Sequence, residues 1–376
     1  MANMTKRLHG PSLYYASDKN VFDALNQHKV DTKTIMELFE RRNIVVSKKT
    51  PRESLAAYFA RQIYDYQDHK DIAARLGIAP RRERITSMDV NGKVDHSHLQ
   101  VAVDQLKVEL ESSGEVVQVT RESNKVTITV QYSTMDYKVS EFAQRQERDG
   151  TIELIKTADG YTVRNTHNEF VDNVAAELIT KLEKASETTL SKVTVSLFDV
   201  PTAQLRSKFF HELAFKLPGY QQSDVTAVYV FKAKPELHGN DEEDDEDDDT
   251  ADGETHVERV HLRGRGVTRS EILNELLEKD DYYITKIAWG AREIAGAGHD
   301  YDIEATFTNP KDCNGFSFIL SGVYPFEDGQ LSTRRRPPLK HEIDEISRVV
   351  ENKARELVTL LREEFKKANA GEEDAN

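Results

Sequence analysis

The run DEEDDEDDD at residues 241–249 constrains the folding of this chain more than any other feature. The segment 241–254 holds 11 acidic residues and no Lys or Arg. Such a run cannot bury an apolar surface and repels itself. His238–Glu254 is therefore expected to be a disordered linker or long loop. It opens just after Pro235 and closes where apolar alternation resumes at Val257. The run also distorts the global charge. The 376 residues carry a formal charge of −15, but without the segment 241–254, 55 acidic residues face 51 basic ones, a net of about −4. The overall sign therefore excludes no partner for the foldable part, polyanions included.

At roughly 100–200 residues per domain the length allows two or three domains. No stretch approaches the roughly 20 apolar residues of a membrane span. The opening MANMTKRLHG lacks the apolar core of a secretory signal. A single cysteine, Cys313, excludes an intrachain disulfide and most cysteine-based metal sites. These features predict a soluble cytoplasmic protein that makes no use of a membrane.

The pattern of elements predicts an α+β protein. A helical, basic N-terminal module (1–88) precedes two mixed α/β regions (89–237 and 257–376) with largely antiparallel sheets, joined by the acidic linker 238–256. In the module, Ile35, Met36, Leu38 and Phe39 recur at helical spacing behind a cap at Asp31 or Thr32. Asn43–Val46 reads as extended. Thr50-Pro51 with Glu53 reads as a capping box opening a second helix. A further short helix covers 69–76. Downstream, a helix over Leu99–Glu111 precedes the β-branched runs 116–119 and 126–130, a hairpin. Asp159-Gly160 reads as a two-residue hairpin turn, and a helix spans about 168–184.

Two strand–helix–strand units follow, 193–232 and 257–289. Leu205, Phe209 and Phe210 match Ile272, Leu276 and Leu277 at a constant offset, which admits a weak internal repeat. Strands at 301–308 and 316–324 flank Asn309-Pro310. A long C-terminal helix, about 340–367, carries the stripe Ile343, Ile346, Val350, Leu357, Leu361 and Phe365. Lys353 interrupts that stripe, so packing on a sheet is expected rather than a coiled coil.

Asp31–Thr86 is the one long basic stretch, with 12 Lys and Arg against 8 Asp and Glu. Within it, IMELFERRNIVVSKKTPRESLAAYFA (Ile35–Ala60) resembles the SAP-like helix–extended-loop–helix DNA-binding module. The resemblance covers under a tenth of the chain. It departs from the family at Asn43, near which a glycine is usual, and in its longer second helix. It implies that the basic link and the start of the second helix face a DNA backbone. Carried over residue by residue, the contacts are Arg42, Ser47, Lys48, Lys49, Thr50 and Arg52. The chemistry agrees, because a helix N-terminus offers free N–H groups and lysines release counterions from phosphate. His69–Ile78 also looks like the opening of a helix-turn-helix, with little room after Pro80 for a recognition helix.

Arg263, Gly264, Arg265, Gly266 and Thr268 form a second candidate, an anion-binding turn between strand and helix. It lacks the later Gly and Lys of a phosphate loop, and an ordinary turn capped by Thr268 is the simpler reading. Arg334–Arg336 could share its surface. His96 and His98, opening a helix capped by Ser97, and His299 are potential metal ligands. Whether they meet in space is not readable, and no metal or cofactor is expected. Glu153-Leu154-Ile155-Lys156 has one residue too many for a nuclease step. No Gly-x-Ser-x-Gly occurs, and Cys313 sits in a hairpin-like turn. Tyr282, Tyr283, Trp289 and Tyr324 could stack bases or fill a core.

The leading expectation is a non-enzymatic, nucleic-acid-associated adaptor that binds the DNA backbone through its N-terminal module. Its α+β regions would meet a protein partner or another copy. In this reading the acidic run could mimic a phosphate chain and fold back on the module. The alternatives are an interaction or scaffold subunit without nucleic-acid contact, and a phosphate- or metal-dependent enzyme.

Overall fold

The computed structural model describes residues 16–27, 30–76, 83–138, 141–232, 257–279 and 282–373. The acidic run lies outside them. The chain forms two compact units, each discontinuous in sequence. One comprises residues 1–81, 94–153 and 174–187; the other comprises 82–93, 154–173 and 188–376.

The first unit opens with the helices α1 (Asp18–Leu25), α2 (Thr32–Glu40), α3 (Arg52–Ala60) and α4 (Tyr66–Leu76). Ser17 caps α1 with a capping box, and the Asp31 carboxylate caps α2 by accepting from the Thr34 N–H. The spaced apolar residues of α1–α3 close one core: Val21, Leu25, Ile35, Leu38, Phe39, Leu55 and Phe59 are all buried, with Phe142 added from a 3₁₀ turn at Glu141–Ala143. The expected cap of α3 is not formed. Pro51 holds the cap position, and neither it nor Thr50 gives a side-chain bond. The unit continues with α5 (His96–Ser112) and the strands β2 (Val116–Arg121), β3 (Lys125–Met135) and β4 (Arg145–Lys156), ordered β2-β3-β4. The β2–β3 hairpin confirms the β-branched signature. The C-terminal half of α6 (Glu169–Ser186) also belongs here. Its Lys181 meets Glu109 of α5 at 2.5 Å.

The second unit is built on an antiparallel sheet ordered β5-β1-β11-β10-β9-β7-β8. Its strands are β1 (Arg84–Asn91), β5 (Gly160–His167), β7 (Tyr220–Phe231), β8 (Arg259–Arg263), β9 (Tyr283–Glu293), β10 (Asp300–Asn309) and β11 (Asn314–Tyr324). A short strand, β6 (Ser191–Thr194), pairs with β1 beside its contact with β11. The strand expected to open the 193–232 unit thus runs over Ser191–Thr194. A small hairpin, β12 (Phe326–Glu327) and β13 (Gln330–Leu331), follows β11. The strands on either side of residues 233–256, β7 and β8, pair with each other.

Helices α7 (Ala203–Phe215), α8 (Glu271–Lys279) and α9 (Lys340–Glu373) pack their apolar residues into the core of this sheet. Alternation along β10 sets its polarity. Tyr301, Ile303, Ala305 and Phe307 enter the core, and Asp302, Glu304, Thr306 and Thr308 take the other face. The stripe of α9 lies in the same core, with Ile346, Val350, Leu357 and Leu361 buried, so packing on a sheet holds. Lys353 does not break the helix, because it folds back to Glu356 at 2.9 Å. Two charged links hold α9 against the strands. Arg164 on β5 grips Glu351 with two hydrogen bonds of 2.7 Å, and Arg355 reaches Asp89 on β1 at 2.8 Å. The matched positions of the two strand–helix–strand units differ in depth: Leu276 and Leu277 are half-buried where Phe209 and Phe210 are buried, and Ile272 is exposed where Leu205 is half-buried.

Candidate functional site

The α2–link–α3 arrangement of the first unit follows the expected helix–extended–helix pattern. Asn43 takes the left-handed conformation (φ 58°), which explains why a family glycine is not required here. Ile44 then turns back, its N–H donating to the Phe39 carbonyl at 3.0 Å. The link runs extended through Val46 into a turn in which the Thr50 N–H donates to the Ser47 carbonyl and the Lys49 N–H to Ser47 Oγ.

The six predicted contacts divide into two groups. Ser47, Lys48 and Lys49 are exposed and Thr50 is half-buried beside them. Lys48 and Lys49 form no ion pair among the described residues. Arg42 and Arg52 instead brace the module. Arg42 donates to the Ile63 carbonyl at 2.6 Å and to Asp68, and its guanidinium lies 4.4 Å over the Phe59 ring. Arg52 donates to the carbonyls of Asn26, Gln27 and Val30 at 2.7, 2.9 and 3.3 Å. These carbonyls lie in the connection between α1 and α2, so Arg52 ties the start of α3 to that connection. Neighbouring Arg41 pairs with Asp71. The free positive charge of the link is therefore two lysines. α3 starts behind them with no side chain capping its first turn. Its first N–H groups are the ones a phosphate would meet.

For the helix-turn-helix alternative, α4 forms as expected. The residues after it, 77–82, lie outside the described residues, and β1 begins at Arg84.

The glycine-rich turn of the second unit is built differently from an anion cradle. Gly266 adopts φ 67°, but its N–H donates to the Asp224 carboxylate at 3.0 Å. A carboxylate thus occupies the place an incoming anion would take. Thr268 lies inside a 3₁₀ turn (Val267–Arg269) and does not cap α8, which starts at Glu271. Arg263 and Arg265 project as exposed side chains. Arg335 pairs with Asp302 and Arg336 with Glu342, so these two do not extend that surface.

No group of three or more His, Cys, Asp or Glu side chains able to hold a metal occurs among the described residues. Ser97 does not cap α5, whose cap position is Asp95. His299 accepts from the Phe326 N–H, a structural use. Cys313 occupies the β10–β11 turn in a left-handed conformation, fully buried, and burial pushes its thiol up to about 12. It stays protonated and cannot serve as a nucleophile near neutral pH. Trp289, Tyr282 and Tyr283 are buried, which removes them as stacking platforms. No helix among the described residues is long and apolar enough to cross a membrane.

A cleft in the second unit has no counterpart in the sequence reading. It encloses about 360 Å³ on the sheet face that carries Glu304, Thr306 and Thr308. Arg84, His167, Arg259 and Lys286 line it together with Thr285, Thr306 and Thr308, and Tyr229 and Phe231 supply aromatic walls. Register explains the convergence. Arg84 pairs with His167 across β1–β5, and His261, Tyr229, Lys286 and Thr306 form one cross-strand row. Tyr229 stacks on His261 at 3.8 Å, with Lys286 Nζ 4.5 Å from its ring. Glu304 accepts from both Lys286 (2.8 Å) and Arg84. His167 bonds Thr308 Oγ1 at 3.1 Å, and its Nδ1 lies 2.9 Å from the Asp172 carboxylate.

No protein-family model matches the chain, and no match was found among curated proteins.

Proposed function

We propose that the chain is a nucleic-acid-associated protein that contacts the DNA backbone, without reading sequence, through the link Ser47–Thr50 and the start of α3. One observation carries this reading. Lys48 and Lys49 are exposed and unpaired on an extended link that leads into an uncapped helix start. Lysines release counterions from phosphate, and helix N–H groups donate hydrogen bonds to it. Arg42 and Arg52 hold the link in place rather than touching DNA.

Two lysines set the expected strength. Neutralising about two phosphates gives a log–log salt slope near −1.8, so affinity should fall about tenfold between 50 and 200 mM salt. The test is fluorescence anisotropy with labelled duplex DNA at both salt levels. Lys48→Ala/Lys49→Ala should abolish most of the salt-dependent binding. Absence of binding by the parent protein at the lower salt would end the reading.

A second reading rests on Val45 and Ile63, which are 96% and 93% exposed in the same module. Exposed apolar side chains of this kind suit a protein partner. Val45→Ser/Ile63→Ser should then weaken partner capture while leaving DNA anisotropy unchanged.

A further inference from the structure

We propose that β8 is a docking edge at which a separate protein partner adds an extended, acidic strand to the sheet. The surface uses no residue of the Ser47–Thr50 link, so its failure would leave the DNA reading standing. The sheet order ends at β8, and no strand pairs with its outer edge among the described residues. Ladder alternation settles which backbone groups that edge presents. The Lys232 N–H donates to the Glu258 carbonyl and the Gly264 N–H to the Thr226 carbonyl, at 3.0 Å each. Antiparallel pairs bond at every second residue, so Glu258, Val260, Leu262 and Gly264 are the residues that bond to β7. Arg259, His261 and Arg263 therefore turn their N–H and C=O groups outward. A row of such groups is a template for another strand.

The side chains of β8 select which strand fits. Arg259, His261 and Arg263 are exposed on one face, and Val260 and Leu262 are half-buried against the core on the other. Arg263 forms no ion pair among the described residues. The ion pair of Arg259, with Glu258 at 3.6 Å, is exposed and weak. Residues directly opposite in an antiparallel pair share a face, so the residues that meet Arg259, His261 and Arg263 are best acidic. Those between them extend the row of Val260 and Leu262 and are best apolar. The fitting strand thus alternates acidic and apolar residues. The same chemistry disfavours a second copy of β8. Pairing two such edges about a two-fold axis puts Arg259 opposite Arg263 and His261 opposite itself. Like charges directly opposite are destabilising.

Fluorescence anisotropy on the full chain in about 50 mM salt tests this with labelled peptides of equal length. One alternates glutamate and valine, one alternates lysine and valine, and one holds the glutamates and valines in separate blocks. The alternating acidic peptide should bind about tenfold more tightly than either of the others. His261→Pro removes an outward N–H and no bond to β7, a position where a strand tolerates proline. It should lower the affinity about tenfold, while the buried Trp289 keeps its native fluorescence. Arg259→Glu/Arg263→Glu changes exposed side chains only and should switch the preference to the lysine peptide. Lys48→Ala/Lys49→Ala should leave the affinity unchanged. Binding only after removal of residues 241–254 would give the edge to the chain's own acidic run and overturn the claim for a separate partner. A dimer of the parent in sedimentation that His261→Pro abolishes would give it to a second copy, with the same consequence. The proposal also falls if no peptide binds, if the lysine peptide matches the acidic one, or if a folded His261→Pro variant binds like the parent.

Discussion

Replacing Glu351 by alanine puts the attachment of α9 to its sheet under direct test. The Arg164 and Glu351 side chains are 8% and 3% exposed and share two hydrogen bonds of 2.7 Å. The pair exchanges hydration for mutual contact, so its net contribution as a pair is small. Removing one partner is different, because Arg164 then stays buried without the carboxylate that accepts its two hydrogen bonds. That cost is about 3–5 kcal/mol. At roughly 2–4 °C per kcal/mol for a unit of this size, the melting point should fall by about 10 °C. Trp289 is the only tryptophan and is fully buried in the second unit's core, so its fluorescence reports this unit alone. Urea titration followed at Trp289 should show the lower midpoint with an unchanged slope. The double variant Arg164→Met/Glu351→Leu should return to within about 1.5 kcal/mol of the parent, because apolar replacements remove both desolvation penalties. A Glu351→Ala variant as stable as the parent would refute the reasoning, since it would mean that Arg164 finds water or another acid.

Arg52→Ala removes three donations to carbonyls of the α1–α2 connection and should cost the first unit about 2 kcal/mol. Lys48→Ala/Lys49→Ala should cost under about 0.5 kcal/mol. Helical ellipticity during a thermal melt distinguishes the two, and a stable Arg52→Ala variant that loses DNA binding would make Arg52 a contact instead of a brace. Glu342 accepts from Arg336 and from the Leu339 N–H, and Arg336 first of all holds its carboxyl below the usual glutamate range. Its stabilisation is therefore complete above about pH 4.5 and fades as pH falls through the lower folded value. Stability curves between about pH 3 and 6 should show a steeper acid limb for the parent than for Glu342→Gln; parallel limbs would contradict the assignment.

Elements governed by local pattern were legible in the sequence. The β10–β11 hairpin follows from strict alternation around Asn309-Pro310, and α9 from a stripe that repeats over several turns. The failures have a common physical cause. Arg42 and Arg52 look like solvent-facing phosphate contacts until chain neighbours about 25 residues away supply Asp68 and three carbonyls. Thr50 carries the right chemistry for a cap, but Pro51 sets the helix start one residue later. The Gly264–Gly266 turn has the right flexibility, yet Asp224, 42 residues earlier, takes its N–H group. The cleft gathers residues from Arg84 to Pro310 through strand register alone, and no local spacing announces that.

The place of β1 in its sheet bears on how the chain matures during synthesis. This strand leaves the ribosome early, yet one of its edges must wait for β11. Thr86 Oγ1 donates to the Phe316 carbonyl, across 230 residues. The other edge can be filled by β5 much sooner. Contacts this distant in sequence are slow to form. A half-paired strand that waits for its neighbour is also an invitation to wrong partners. The helix that finally shields the sheet, α9, is synthesised last of all the described elements. Maturation of the second unit is thus a late, largely all-at-once event, and chaperone occupancy should be concentrated in the interval before α9 emerges.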